Sequence, residues 1–180
     1  DAVSLGLGLD DADSFGWFFE QRSDPQGSLG WFLGNPEVFP AQAGEAEDYL
    51  AANFESTGDI GAISLWLFSP LVDFSDRPHV SFWTRSADSE VRPDRLEIRA
   101  CTGRKCDSVG DSSTSVGDFT IPITTINRTL QANADRTGID GYPDIWTRFK
   151  FGPNDDVPSS GIGRIAFRYF VTDAGLNGSN

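Results

Sequence analysis

The sequence predicts an all-β protein, an antiparallel sandwich of two sheets. Three observations carry this. The 14 Phe, 5 Trp and 3 Tyr are spread evenly among 19 Gly and 10 Pro, so apolar runs are short and bounded by turn-forming residues. No long stretch keeps the apolar repeat of about 3.6 residues that marks an amphipathic helix. Several short runs instead alternate apolar and polar side chains with the period of a half-buried strand.

Taken in order, strands are predicted over residues 15–21, 29–33, 48–54, 60–69, 79–86, 95–101, 118–126, 145–151 and 163–172. The run 79–86 sets Val80, Phe82 and Thr84 on one face and His79, Ser81, Trp83 and Arg85 on the other. The next opposes Leu96, Ile98 and Ala100 to Arg95, Glu97 and Arg99, and the last opposes Ile165, Phe167, Tyr169 and Val171 to Ala166, Arg168 and Phe170. One apolar and one more polar face per strand suits two antiparallel layers better than a buried parallel sheet. Between the later strands lie polar segments 107–117, 127–144 and 152–161, of a length at which loops tend to carry function. At 180 residues, with no linker or repeat, the chain reads as one domain over residues 1–180.

Charge removes several classes of function. The chain has 14 Lys+Arg against 27 Asp+Glu, a net charge of −13, whereas phosphate recognition and anionic membrane surfaces both require clustered cations. Neither a nucleic-acid partner nor direct membrane insertion is expected. The longest apolar run, 62–68, is interrupted by Ser64 and is far short of the roughly 20 residues that span a bilayer. The chain opens at Asp1 with no leader-like segment, and so reads as a mature or trimmed exported form.

Cys101 and Cys106 enclose the turn Thr102-Gly103-Arg104-Lys105 after a predicted strand. This places both at the base of a hairpin, and a disulfide is expected there. Zinc would need further ligands, and the chain offers only His79.

Several segments, in order, are similar to the choice-of-anchor J domain of exported bacterial proteins with PEP-CTERM-type tails, a relative of the cleaved adhesins. They are GW at 16–17, GWFLGN at 30–35, VFPAQAG at 38–44, YLAANF at 49–54 and WLFSPL at 66–71, then SFWTR at 81–85, PDRLEIR at 93–99, YPDIW at 142–146 and IAFRYFV at 165–171. The resemblance implies a jelly-roll sandwich on a secreted or cell-surface protein, with no established catalytic activity. The family usually closes with a strand resembling D-Y-I-G-I-D. This sequence stops at Gly178-Ser179-Asn180, so the closing strand and any anchor tail are expected to be missing. The Cys pair departs from the polar hairpin tip usual in the family.

Catalytic patterns are weak. His79 beside Pro78 has no serine in a G-x-S-x-G elbow to serve, and no E-x-D-x-E string marks a sandwich glycosidase. Glu45-Ala46-Glu47-Asp48 reads as a solvated rim, and the isolated G-x-G pairs at 6–8 and 161–163 read as turns. A structural calcium is the cofactor expected, since related jelly rolls place F-D-D or F-E-E before the first strand, where this chain has Asp10, Asp11 and Asp13. Asn35, Asp48 and Asn53, flanking adjoining strands, are secondary ligands. Trp31, Trp83, Tyr142 and Trp146 are the platforms expected for a sugar, because an aromatic face stacks on pyranose C–H groups. Trp146 shares the parity of Arg148 and Lys150 and is expected on the outward face. The expected function is recognition of an extracellular glycan or protein; a purely structural envelope module and a glycan-cleaving enzyme are the alternatives.

Overall fold

The computed structural model describes residues 15–87 and 92–179. It contains β1 (Phe18–Gln21), β2 (Asp24–Gln26), β3 (Phe32–Leu33), β4 (Leu50–Ala51), β5 (Thr57–Phe68), β6 (Val72–Asp73), β7 (Val80–Thr84), β8 (Leu96–Thr102), β9 (Ile121–Ile126), β10 (Thr147–Phe151) and β11 (Ile162–Ala174). The main sheet has the order β1-β5-β11-β8-β9, with β2 beside β5 and β6 beside β11, and all its pairs are antiparallel. Two separate ribbons, β7–β10 and β3–β4, complete the strands. The expected all-β antiparallel sandwich is the fold observed. No helix among the described residues is long and apolar enough to cross a membrane.

Register explains the core. Phe167 stands between Leu67 on β5 and Ile98 on β8, and Tyr169 between Leu65 and Leu96, so one face of the sheet is continuously apolar. Phe82 of β7 packs edge-on against Phe167 at 5.2 Å and brings the β7–β10 ribbon over that face. The alternation of Leu96, Ile98 and Ala100 is observed as all three are buried.

The opposite face of β11 is not the polar surface its alternation suggested. Ala166 is 0% and Arg168 1% exposed, because residues of the segment after Cys101 fold back over the sheet as a third layer. Cys106, Val109 and Phe119, all fully buried, pack with Trp66 and Phe68, with Phe119 at 5.0 Å from Phe68 and 5.8 Å from Trp66. This explains the apolar run 62–68: β5 is covered on both faces, so the polar half of its alternation is lost.

Three arginines fasten this cover by its carbonyls. Arg99 Nε donates to Phe119 O (2.7 Å), Arg22 Nε to Gly110 O (2.9 Å), and Arg168 Nη2 to Ser113 O. Arg168 also pairs with Glu97 at 3.1 Å and donates from Nε to Ser64 Oγ at 3.1 Å, with its plane against Phe170 and Trp66. Burial lowers its pKa to about 10 against the opposing pull of Glu97, so it remains charged at neutral pH. The segment 107–117, expected to be one of the function-bearing loops, is thus part of the packing. The disulfide Cys101–Cys106 is present. The turn it closes leads into this cover, and β9 begins only at Ile121, so the simple hairpin expected around it is absent.

Candidate functional site

Among the described residues the second layer is incomplete, and its gap is the candidate site. Between the β3–β4 and β7–β10 ribbons lies an open cleft of about 680 Å³. Its floor is the apolar face of the main sheet, with Ile63 and Leu67 of β5, Leu96 of β8, and Phe167 and Val171 of β11. The walls are the unbroken runs 48–54 and 82–87. A strand seen face-on would contribute every second residue. Consecutive residues along both walls mean that the cleft is bordered by strand edges and their flanking turns.

All four aromatic candidates line this one cleft, and they occupy different situations in it. Trp83 lies on β7, half-buried, and reaches the cleft together with Phe82 although the two have opposite parity. Trp31 is half-buried and meets Tyr169 edge-on at 6.4 Å, with its indole N–H buried and without a hydrogen-bond partner. Trp146 precedes β10, so the parity of Arg148 and Lys150 does not extend to it. It is half-buried, donates its N–H to Pro40 O at 2.9 Å, and stands edge-on to Phe39 (5.6 Å) and Tyr49 (5.5 Å). Tyr142 is only 4% exposed, shares a 2.7 Å hydrogen bond with Thr84 Oγ1, and has its phenol pushed far above the usual range by burial. It is a wall rather than an open stacking platform.

Sequence reasoning did not single out Phe39, Tyr49 and Arg85, which organise the rim. Tyr49 stacks on Phe39 at 5.0 Å, its hydroxyl accepts from Asn35 N at 2.9 Å and faces the carbonyls of Asn35 and Phe39, and burial raises its pKa. Its ring lies so close to Gly34 that a Cβ there would overlap it. Arg85 lays its guanidinium over Phe39 at 4.2 Å and donates from Nη2 to Asp144 O at 2.6 Å. The segments at 38–44 and 49–54 contained the signal, but nothing in their spacing shows that they meet Trp146 across a hundred residues of chain.

Asn35, Asp48 and Asn53 also line the cleft. Each directs a side-chain oxygen to a backbone N–H of its own turn: Asn35 to Glu37 (3.0 Å), Asp48 to Glu45 (2.7 Å), and Asn53 to Glu55 (3.0 Å), where it caps the short 3-10 turn Phe54–Ser56. Asp10, Asp11 and Asp13 lie outside the described residues. Among the described residues, no group of three His, Cys, Asp or Glu side chains gathers as a metal would require. What the arrangement offers is an apolar floor, aromatic faces on several sides, and amide, carboxylate and guanidinium groups at the rim, the composition of a site for a small or chain-like ligand.

No protein-family model matches the chain, and no curated protein matches its sequence. Among solved structures, it is similar to a cleaved adhesin domain of Lys-gingipain from Porphyromonas gingivalis, with a TM-score of 0.56 and 19% identity over 87% of this chain and 81% of that one. A second cleaved adhesin domain of Lys-gingipain from that organism aligns with a TM-score of 0.47 and 15% identity over 88% and 85% of the two chains. At 19% identity the first likeness speaks to architecture, and it places the chain among antiparallel β-sandwiches of the kind seen in that adhesin domain.

Proposed function

We propose that this chain is a non-enzymatic, exported recognition domain of adhesion type, of the choice-of-anchor J kind, which holds an extracellular glycan in the cleft between its ribbons. The observation that carries the reading is the convergence of Trp31, Trp83 and Trp146 on one cleft with planar polar groups around its mouth. Aromatic faces supply stacking area, and amides, carboxylates and guanidinium supply directional hydrogen bonds to hydroxyls. The adhesin-like sandwich supports the same reading.

The experiment is a glycan-array screen of the domain with Trp83→Ala as comparator. Binding that depends on Trp83 supports the proposal, and silence across the array refutes it in favour of a structural module. Asp48 and Asp94 both line the cleft, so array hits are also checked for release of reducing ends; cleavage would favour the hydrolase alternative. A second reading, in which the occupant is an extended polypeptide, is favoured by the strand edges that border the cleft, since an exposed edge is a template for a further strand. A structural calcium held by Asp10, Asp11 and Asp13 remains part of the proposal, and a melting temperature unchanged by chelator would refute it.

A further inference from the structure

We infer that the cleft selects a glycan bearing a carboxylate, and that Arg85 is the residue that receives it. The inference rests on the reading of the cleft as a glycan site and adds the chemical class of the sugar.

Acidic residues outnumber basic ones 27 to 14, and an anionic ligand must be received by one of the few cations of the cleft. Four ion pairs are formed among the described residues, by Arg22, Arg99, Arg136 and Arg168. Two guanidiniums line the cleft, Arg85 and Arg92, and neither belongs to those pairs. Both rest instead against aromatic rings of the cleft wall, Arg85 over Phe39 at 4.2 Å and Arg92 over Phe54 at 5.7 Å. What marks these two among the described residues is their place, each seated on an aromatic ring that lines the cleft.

Arg85 is the better built of the two. Its plane is fixed by Phe39 below and by the 2.6 Å bond from Nη2 to Asp144 O. A guanidinium has five N–H donors, and this is the one hydrogen bond the described residues give it. Its Nε is buried and without a hydrogen-bond partner, so a ligand is received on the outer Nη edge of the group. The group is held flat, half-shielded from water and, among the described residues, short of acceptors. A carboxylate matches that fork with two parallel hydrogen bonds, and the pairing is stronger where aromatic walls exclude water.

Trp146 and Tyr49, both packed on Phe39, stand beside this cation. A hexuronate or a sialic acid carries its carboxylate directly on the sugar ring. One residue of such a glycan therefore meets the guanidinium and an aromatic wall together. Asp48 and Asp94 also line the cleft, and both already accept hydrogen bonds from the protein, Asp48 from Glu45 N and Asp94 from the Tyr169 hydroxyl. Their charge orients an anionic sugar so that its carboxylate points to Arg85.

The test compares wild type and Arg85→Gln by titration calorimetry with oligogalacturonate, sialyllactose, their methyl esters, and the neutral sugars maltotetraose and lactose. The expected result is that one acidic sugar binds about tenfold or more tighter than both its methyl ester and its neutral counterpart, that the preference disappears in Arg85→Gln, and that binding weakens with added salt. The arms separate uronate from sialate. The ester comparison is made on wild type and is independent of whether the variant folds. Equal affinity for acid, ester and neutral sugar overturns the carboxylate inference and leaves the glycan reading standing. Binding of none of these sugars, with a positive hit elsewhere on the array, also overturns the inference alone, whereas silence in both experiments overturns both.

Discussion

Replacing Phe119 by Ala tests whether the segment after the disulfide is a layer of the fold or a loop resting on it. Phe119 is fully buried, packs on Phe68 at 5.0 Å and Trp66 at 5.8 Å, and has its carbonyl held by Arg99 at 2.7 Å. Truncating a fully buried Phe removes its transfer free energy and leaves a cavity, together about 3–5 kcal/mol. For a domain of 180 residues, at roughly 2–4 °C per kcal/mol, that is a fall in melting temperature of about 6–20 °C. The assay is urea unfolding followed by tryptophan fluorescence, which Trp66 reports directly because its ring lies against the lost side chain. Ile139, in the segment 127–144, is 69% exposed and is the control: its replacement by Ala should change stability by no more than about 0.5 kcal/mol. A loss below about 1 kcal/mol for Phe119→Ala, or equal effects at the two positions, would refute the three-layer description.

Three further outcomes are expected. Gly34→Ala drives a Cβ into the Tyr49 ring and should cost about 1–3 kcal/mol while weakening ligand binding at the rim, read by thermal melting and by titration of an array hit. Replacing Cys101 and Cys106 together by Ser opens a ring of sequence separation 5 and should cost about 2 kcal/mol by the loop-entropy model, measured by denaturant unfolding; an unfolded variant at room temperature would contradict so local a role. Hydrogen bonds from the Thr137 hydroxyl and from the N–H groups of Asp140, Thr137 and Ile139 hold the Asp135 carboxyl at about 2, below its usual value of 3.8. Because the folded value is depressed, the stabilisation is present above about pH 4 and is lost as pH falls through about 2. Wild type and Asp135→Asn should therefore differ in melting temperature at neutral pH and converge near pH 2, and a difference that persists there would contradict the assignment.

The apolar face of the main sheet was legible because its alternation is strict: Leu96, Ile98 and Ala100, and Ile165, Phe167, Tyr169 and Val171, each lie on one side of a strand. Its outer face was not legible, because the cover is written largely in Gly, Ser and Asp and is anchored by a few scattered buried residues, Cys106, Val109 and Phe119. Arginines donating to carbonyls leave no mark on sequence periodicity. The shorter strands escaped for local reasons. β2 is three residues with Pro25 at its centre and β6 is two residues, too short for any period. The predicted strand 48–54 shrinks to Leu50–Ala51, since Asn53 caps a 3-10 turn immediately afterwards. For the cleft, residue chemistry was enough to select Trp31, Trp83, Tyr142 and Trp146 as candidates. That they share one cavity depends on how two ribbons are placed over the main sheet among the described residues, which no single segment encodes.

The central claim is that the gap between the ribbons binds ligand, and tryptophan indole N–H resonances test it within one spectrum. Trp31, Trp83 and Trp146 line the cleft, whereas Trp66 on β5 is buried beneath the outer layer and Trp17 packs elsewhere along the core. Titrating the strongest array ligand into the labelled domain should shift the three cleft indole signals along a common binding curve and leave those of Trp17 and Trp66 in place. Shifts confined to Trp17 or Trp66, or binding with no indole shift at all, would contradict the account.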